Sequence, residues 1–390
     1  MMKKIVLPFL WICGFTGMVA AQEFTNTRIL NQAAIGYRIS GNANYTKALL
    51  LAKTKGWPLS ITAREGRTGV LVGVDDFGLP KYYMTNNNTI AAATSRANQL
   101  WPSGLTGLNL TGSSANMKNK LAIWDGGAVL GSHVELNGRV IQKDNPASTS
   151  NHSTHVSGTM IASGVNPSAR GMAYGIQGIV AYDYTNDITE IASEASNLIL
   201  SNHSYSIVSG WNYNSSKSRW EFNGKSTDNE DYKFGYYNDD SQALDSIAYH
   251  APYYLIVKSA GNNRSENGPA IGENYWRYNA SGTMADAGTR PSGISSNDSY
   301  DIISWDAGAK NILTVGAVSG IPSGYSRKED VVMSKFSSWG PTDDGRIKPD
   351  IVADGINLLS PIASTATSYA TFSGTSMAAP NATGSLLLLQ

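Results

Sequence analysis

The chain has almost no cysteine and no excess of charge of either sign. Cys13 is the single cysteine among 390 residues, and Lys and Arg number 30, as do Asp and Glu. A disulfide framework is therefore excluded, so the fold must depend on its core or on bound ions. Because the net charge is zero and no long run of Lys or Arg occurs, the sequence lacks the basic footprint of a nucleic-acid-binding protein.

The first residues have the composition of a secretory signal peptide. Two lysines precede an apolar run from Ile5 to about Val19, and small residues follow before the polar Gln22. The run is interrupted by proline and glycine and is shorter than the roughly 20 apolar residues that a transmembrane helix needs. Ile12 precedes Cys13, whereas a lipoprotein signal needs a small residue there. We expect residues 1–21 to direct secretion to the extracellular space, without a membrane anchor.

The region from 22 to 97 has the pattern of a small α+β unit that ends in a linker. One stretch, Tyr45 to Lys55, is rich in Ala, Leu and Lys, as helices are. Three β-like runs are separated by Gly, Asp and Pro, which favour turns. These runs are Leu59 to Ala63, Val70 to Val74 and Pro80 to Met84. The polar stretch Thr85 to Thr89 and the following alanines predict the linker.

From Lys120 onward, short and continuously apolar runs recur between helical or loop segments. Such runs are typical of strands buried on both faces, as in a parallel sheet covered by helices. We therefore predict a three-layer, doubly wound α/β domain with a mainly parallel sheet, whose chemistry gathers at the carboxyl ends of the strands. The runs are Leu121 to Trp124, Gly178 to Tyr182, Leu198 to Leu200, Tyr254 to Val257 and Ile312 to Val318.

Two long inserts interrupt this pattern, from Ile207 to Gln242 and from Arg264 to Trp305. Both are rich in Asn, Ser, Gly and aromatic residues, which predicts surface loops or hairpins. The aromatic residues of the first insert could form the rim of a cleft, or a hairpin could bury them against one another, and we favour the hairpin. Asp239 and Asp240 are candidates for a structural calcium site, although a solvated acidic turn is the simpler interpretation because regular ligand spacing is absent.

Four polar residues are placed where catalysis would need them. Asp125 directly follows an apolar run, His152 opens the helix-like segment HSTHVSGTM, and Asn262 follows another run. Ser376 lies in GTSMAAP, where Pro380 predicts a first helical turn. Taken singly, the aspartate could cap a turn and the asparagine could be a turn residue. A serine nucleophile needs a base, a group that orients the base and an oxyanion cradle, and this set could supply all three.

The order Asp125, His152, Asn262, Ser376, and the local motif around each residue, resemble those of the subtilases, the subtilisin-like serine proteases. The segment FSSWGPTDDGRIKPDIVADG resembles another motif of that family, and GMAYG resembles a family turn. The resemblance covers Leu121 to Leu389 in patches. It implies a secreted endopeptidase with a subtilisin-like fold, in which Ser376 attacks a peptide carbonyl, His152 is general base and acid, Asp125 orients it and Asn262 binds the oxyanion.

The resemblance also implies the partners. The segment NHSYS would place Ser204, Tyr205 and Ser206 along a bound protein or peptide substrate, with Ala260 and Gly261 nearby. The 22–97 region would be the enzyme's own propeptide, cleaved between about Thr85 and Asn98, and residues 98–390 would be the catalytic domain. Because subtilases continue beyond the helix that the serine opens, we expect this sequence to be truncated at its C-terminus.

Some alternatives stay open from the sequence alone. Gly126, Ser153 and Ser206 depart from the family pattern, so a catalytically impaired, peptide-binding pseudoprotease is the rival function. A metal site built from Asp125, His152 and His155 is disfavoured, because the resemblance makes His155 structural. No metal or other cofactor is expected to be required for the reaction.

Overall fold

The computed structural model describes residues 25–62, 68–84 and 91–390. The expected signal peptide, residues 1–21, lies outside these ranges. So does the polar part of the expected linker, Thr85 to Thr89, whereas its alanine-rich part, residues 91–97, is described.

A long helix and three short strands form the first part of the described chain. Helix α1 (Thr27–Lys55) starts at Asn26, whose side chain accepts a hydrogen bond from Ile29 N at 3.1 Å. It ends at Gly56, which has φ 70°. Strands β1 (Ser60–Thr62), β2 (Thr68–Val74) and β3 (Pro80–Met84) pair antiparallel. The α+β prediction agrees with these elements, although the helix is much longer than Tyr45 to Lys55.

The rest of the chain supplies the main domain. Its helices are α2 (Ala97–Leu100), α3 (Asn151–Ile161), α4 (Asp187–Glu194), α5 (Asp239–His250) and α6 (Thr375–Leu387). Its first strands are β4 (Leu121–Asp125), β5 (Val140–Gln142), β6 (Ile179–Asp183), β7 (Leu200–His203), β8 (Ser206–Ile207), β9 (Trp211–Asn214) and β10 (Arg219–Phe222). The later strands are β11 (Leu255–Ser259), β12 (Asn274–Tyr278), β13 (Met284–Thr289), β14 (Leu313–Val318), β15 (Ile351–Asp354), β16 (Leu358–Pro361) and β17 (Tyr369–Phe372).

A seven-stranded sheet forms the centre of the domain, with the strand order β15-β14-β11-β7-β4-β6-β5 and parallel pairing throughout. The side chains of strand β4 show that the central sheet is buried on both of its faces. Leu121 and Ile123 point into one apolar cluster together with α3 and α6, whereas Ala122 and Trp124 point into another with α1, α4 and α5. The doubly wound, three-layer prediction is confirmed.

The two inserts do not form separate loops. Strands β9 and β10 from the first insert and β12 and β13 from the second form one four-stranded sheet in the order β13-β12-β10-β9. Strands β10 and β12 pair parallel, which joins the inserts. Trp211, Phe222, Tyr275 and Ile294 are buried together beneath this sheet. The aromatic residues therefore pack mainly against one another, as the favoured hairpin interpretation requires, but across both inserts.

The N-terminal unit, residues 25–84, is docked on the main domain by backbone pairing and by specific polar contacts. Strand β3 adds antiparallel to β8, with Met84 opposite Ser206. Trp57 Nε1 donates to Gly282 O, in the β12–β13 turn, at 3.0 Å. Lys81 forms an ion pair with Asp240 in the first turn of α5. The expectation of a solvated acidic turn is therefore wrong for Asp240, which is partly buried and neutralised by a cation from the N-terminal unit.

A buried carboxylate, Glu135, holds two loops against strand β17. It accepts hydrogen bonds from Gly164 N at 2.7 Å, Asn166 N at 2.7 Å and the hydroxyl of Tyr369 at 2.9 Å. Burial by itself would raise the pKa of Glu135, but these donors favour the charged form and hold its pKa below the ordinary value. Because the folded pKa is depressed, the stabilisation is present above the unfolded pKa of about 4.3 and is lost as the pH falls through the folded value.

We therefore predict that Glu135→Gln lowers the free energy of unfolding by about 1–3 kcal/mol at pH 7, and by less as the pH falls below about 4. Urea unfolding of both proteins in a Ser376→Ala background measures this. Glu329→Gln is the matched control, because the Glu329 side chain is 58% exposed, and it should change the free energy by less than about 0.5 kcal/mol. A deficit in Glu135→Gln that stays constant with pH would contradict the account.

Candidate active site

Three neighbouring strands of the central sheet end next to the candidate residues. Asp125 is the last residue of β4, Ser204 directly follows β7, and Asn262 follows β11. The sheet order places β7 between β4 and β11, and all three run parallel. Since parallel strands have their carboxyl ends at the same edge, the fold brings these three positions together although the sequence separates them.

His152 is fixed to Asp125 by a buried hydrogen bond. Helix α3 is capped by Ser150, whose hydroxyl accepts from the backbone N–H groups of His152 and Ser153, so the imidazole lies in the first turn. Its Nδ1 lies 2.7 Å from Asp125 Oδ1. The Gly126 N–H donates to the same carboxylate oxygen at 2.7 Å. A carboxylate can only accept, so Nδ1 carries the proton, and Nε2 has its lone pair available. Within the described residues Nε2 has no hydrogen-bond partner.

Ser153, which replaces the glycine usual in the resembled family, takes part in this arrangement. Its hydroxyl contacts the carbonyls of Gly126 at 3.0 Å and Gly127 at 2.8 Å, and Asp125 Oδ1 at 3.3 Å. The residue thereby ties the first turn of α3 to the turn after β4. This departure from the family pattern leaves the Asp125–His152 contact in place.

Ser376 is the second residue of α6, and it makes a reciprocal contact with Ser204. Its hydroxyl donates to the Ser204 carbonyl at 3.0 Å, and the Ser204 hydroxyl donates to the Ser376 carbonyl at 2.7 Å. Pro380 explains the second bond. Proline has no N–H, so the carbonyl four residues before it lacks its helical donor. Pro380 lies in the second turn of α6 rather than the first, which corrects our expectation, and Ser204 supplies the missing donor.

Asn262 is oriented by the residue that precedes the candidate nucleophile. Its Oδ1 accepts from Thr375 N at 2.8 Å and lies 3.2 Å from Thr375 Oγ1. Because a backbone N–H can only donate, the amide oxygen must face Thr375, and the amide NH₂ group faces the other way. Gly261, with φ 98°, gives the turn that places Asn262 here, and its N–H donates to Thr375 Oγ1 at 3.1 Å.

Helices α3 and α6 pack directly against each other. A Cβ atom at Gly384 would lie only 3.1 Å from Met160 Cα, so glycine permits this close approach. Met160 and Gly384 each lie about two helical turns after His152 and Ser376, respectively. With His152 tied to the end of β4 and Ser376 tied to the residue after β7, both side chains belong to the same edge of the sheet.

The five predicted substrate-contact residues are largely buried, and they differ in what they offer to a ligand. Tyr205 points inward, where its hydroxyl donates to Asp187 at 2.8 Å and its carbonyl accepts from Lys258 Nζ at 3.0 Å. Ala260 is fully buried. Ser206 lies in β8, whose edge is paired with β3. Ser204 and Gly261 act on Ser376 and Thr375 as described above.

Lys258 stabilises the segment that follows β7 from behind. The lysine and Asp306 are both buried, with Nζ and Oδ2 3.2 Å apart. Burial raises the pKa of Asp306, and the nearby ammonium of Lys258 opposes that rise. The ammonium also lies 3.9 Å from the centre of the Tyr205 ring, a favourable cation–π geometry. A fixed charge network therefore lies behind the strand that we predicted to hold substrate.

His155 has the environment of a structural residue. Its Nε2 lies 3.0 Å from the Leu358 carbonyl, and its ring stacks on Phe372. Burial lowers the pKa of His155 to about 3, so the ring is neutral near pH 7. Across the residues that the structure describes, no group of three or more His, Cys, Asp or Glu side chains could hold a metal ion. Calcium binding at Asp239 and Asp240 stays a prediction.

A cavity of about 30 Å³ lies beside the candidate nucleophile, and its lining contains residues that the sequence did not single out. It is lined by Ser376 and Asn262 together with Ser209, Trp211 and Glu266 from the two inserts. Ser209 and Glu266 are almost completely buried. Nothing in the sequence distinguished them, because both lie in segments that looked like polar surface loops.

Among curated proteins, this chain is similar in sequence to known peptidases over limited lengths. A C5a peptidase of Streptococcus pyogenes (serotype M18, strain MGAS8232) is 55% identical over 58 residues, which is 15% of this chain and 5% of that protein. The serine protease AprX of Bacillus subtilis (strain 168) is 36% identical over 111 residues, 25% of this chain and 24% of AprX. The chain thus spans a small part of these relatives.

Among solved structures, the CspB protease of Clostridium perfringens has a TM-score of 0.49 and 17% identity, covering 77% of this chain and 86% of that one. Fervidolysin of Fervidobacterium pennivorans has a TM-score of 0.45 and 18% identity, covering 80% and 45%. The family model described as the subtilase family, Peptidase_S8, matches residues 67–390. This match covers most of the chain, which therefore belongs to the subtilase family of serine peptidases.

Proposed function

We propose that the protein is a secreted endopeptidase that hydrolyses peptide bonds in protein substrates through an acyl-enzyme on Ser376. The observation that carries this proposal is that four candidate side chains lie at one edge of the central sheet. Asp125 and His152 form a buried hydrogen-bonded pair at the end of β4, and Ser376 and Asn262 are held at the ends of the next two strands. Family membership supports the same chemistry.

In the proposed reaction the Ser376 hydroxyl leaves the Ser204 carbonyl and donates its proton to Nε2 of His152 while Oγ attacks the substrate carbonyl. The Nδ1–H bond to Asp125 keeps Nε2 as the acceptor and stabilises the imidazolium that forms. His152 then gives the proton to the departing amine. A water molecule then attacks the acyl-enzyme carbonyl while His152 accepts its proton. His152 returns this proton to Ser376 Oγ as the new carboxylic acid is released.

Two donors are available for the oxyanion. Asn262 directs its amide oxygen to Thr375, so the NH₂ group is the part of the side chain left to face a ligand. The N–H of Ser376 lies in the first turn of α6, where backbone donors have no acceptor within the helix. Both donors are held before substrate arrives, which is the condition under which such bonds accelerate acyl transfer.

The N-terminal unit acts, in this proposal, as the enzyme's own propeptide. Its strand β3 occupies the edge of β8, the backbone edge to which an extended substrate would add as a new strand. A further bond, from Val208 N to Tyr82 O at 2.8 Å, extends this pairing. The unit therefore blocks the proposed substrate strand until the chain is cut between the two parts.

The same proposal assigns residues 1–21 to a signal peptide, 22–97 to the propeptide region and 98–390 to the catalytic domain. Within the described part of the chain, none of the helices has the length and apolar character that crossing a bilayer requires. The chemistry uses protein groups alone, so we propose that no metal or other cofactor is required. Structural calcium would affect stability only.

A pseudoprotease that binds extended peptides is the rival function, because the Ser376 hydroxyl here contacts a carbonyl and not His152. We predict that a fluorophosphonate probe labels the processed protein and that Ser376→Ala abolishes labelling. Ser385→Ala is a matched control, since Ser385 lies on the same helix, and it should label normally. Persistent failure of the processed protein to react, with the fold intact by circular dichroism, would instead support the rival.

We predict that Asn262→Asp lowers kcat by about 10² to 10³ with little change in KM, because it removes an oxyanion donor, as with the equivalent asparagine of subtilisin. The substituted carboxylate keeps an acceptor for Thr375 N, so the local structure is retained. Asn262→Ala should lose a similar factor. Steady-state kinetics on a peptide amide measures both variants. A normal kcat in Asn262→Asp would exclude this residue from the oxyanion site.

We predict that Lys81→Met weakens the inhibition by the N-terminal unit, because it removes the lysine ammonium that pairs with the partly buried Asp240. The pKa of Asp240 is lowered: burial opposes the charged form, but Lys81 outweighs it. Loss of about 1–2 kcal/mol of docking energy would raise probe labelling of the unprocessed chain roughly five- to thirtyfold. Lys47→Met, on the exposed face of α1, is the control. Equal labelling rates in parent and Lys81→Met would remove the ion pair from the inhibitory contact.

A further inference from the structure

We propose that the cavity beside Ser376 receives an asparagine side chain, so that the enzyme cuts on the carboxyl side of asparagine. This inference rests on the proposed peptidase function and adds its substrate class. It is carried by the chemistry of the cavity lining, by the cavity size and by the sequence that joins the two parts of the chain.

The position of the cavity makes it the pocket for the residue whose carbonyl is attacked. Ser376 and Asn262, the nucleophile and the oxyanion donor, line one part of it. Tyr205 and Ser206, along the strand to which substrate would add, line another. A substrate side chain adjacent to the scissile bond therefore has this cavity beside it.

Glu266 gives the cavity a strong hydrogen-bond acceptor. It is the only charged residue among the described residues that line the cavity, and 7% of its surface is exposed. The carboxylate repels acidic side chains and favours those that donate hydrogen bonds.

Ser209 is the second polar group of the lining. It is 1% exposed, and its Oγ has no hydrogen-bond partner among the described residues. A buried hydroxyl without a partner is unfavourable, so it points to a ligand group that completes its bonding. A carboxamide has both an NH₂ donor, which Glu266 can accept, and a carbonyl oxygen, to which Ser209 can donate.

The size of the cavity separates asparagine from the longer and wider side chains that donate hydrogen bonds. Its volume of about 30 Å³ accommodates two or three atoms of the size of a water molecule, because roughly 10–15 Å³ on this measure holds one water. The carboxamide of asparagine has three such atoms. Lysine, arginine and the aromatic residues are too long or too wide, and aspartate has the right size but the wrong charge.

The sequence places asparagine where such a pocket would act on the chain itself. Strand β3 ends at Met84, opposite Ser206, and its direction leads toward Ser204, whose carbonyl contacts the Ser376 hydroxyl. The next residues are Thr85, Asn86, Asn87 and Asn88, which lie outside the described part of the chain. Hydrolysis after one of these asparagines, with water as the co-reactant, would separate the propeptide from the catalytic domain.

The test combines the processed N-terminus with the cleavage products of a denatured protein mixture, both read by mass spectrometry. We expect the mature chain to begin directly after Asn86, Asn87 or Asn88, and asparagine to precede at least half of the product cuts. A protein that reacts with the fluorophosphonate probe but cuts mainly after apolar, basic or small residues would overturn this inference alone. A correctly processed protein that neither reacts nor cuts would overturn the proposed function, and this inference with it.

Variants test the two lining residues. We expect Glu266→Gln and Ser209→Ala to reduce the ratio of kcat/KM for an asparagine peptide over the matching leucine peptide, by about 10- to 100-fold and 3- to 10-fold. Each rate is divided by the fraction of protein molecules that the fluorophosphonate probe labels. A variant that yields less folded protein therefore does not change the ratio. Glu329→Gln is the control for the glutamate and should leave the ratio unchanged. An unchanged ratio in both Glu266→Gln and Ser209→Ala would refute the assignment.

Discussion

The adjacency of three parallel strands is the constraint on which the rest of the site depends. Strands β4, β7 and β11 end side by side. Asp125 is the last residue of β4, Ser204 directly follows β7, and Asn262 follows β11. The two helices that bear His152 and Ser376 are then joined to that edge by short hydrogen bonds. Burial of the strands on both faces makes the edge rigid, because neither layer can shift without opening an apolar cluster.

Helix α6, which bears Ser376, lacks one backbone hydrogen bond, and a side chain at the site replaces the missing donor. Pro380 removes one helical donor, and the carbonyl left over is that of Ser376 itself. Ser204 satisfies it, and the Ser376 hydroxyl returns a bond to the Ser204 carbonyl. A residue that would ordinarily weaken a helix thus attaches Ser376 to the strand that we propose to bind substrate. Breaking one bond of this pair, to direct the hydroxyl to His152, leaves the other in place.

The two inserts link the N-terminal unit to the specificity of the site. Their joint sheet contacts Trp57 at the β12–β13 turn. The inserts also contribute Ser209 and Glu266, outside the strands of that sheet, to the cavity beside Ser376. In our proposals, the same two inserts would therefore bind the propeptide and contribute to substrate specificity. In this scheme release of the propeptide frees the β8 edge, and the pocket next to it is already formed by the packing of Trp211, Phe222 and Tyr275.

The sequence by itself predicted the parallel sheet, which the structure contains, and it singled out the candidate reacting groups. Short, continuous apolar runs between turn signals are typical of strands buried on both faces, and motifs such as GTSMAAP keep their chemistry within a few residues. Only the tertiary structure decided the first half of α1, which contains Gly36 and Gly41 and is held by packing of Leu30 and Ala34. The ion pair between Lys81 and Asp240 and the burial of Glu266 are also visible only in the tertiary structure. These contacts join segments more than a hundred residues apart or depend on burial by both inserts, and no local pattern records such contacts.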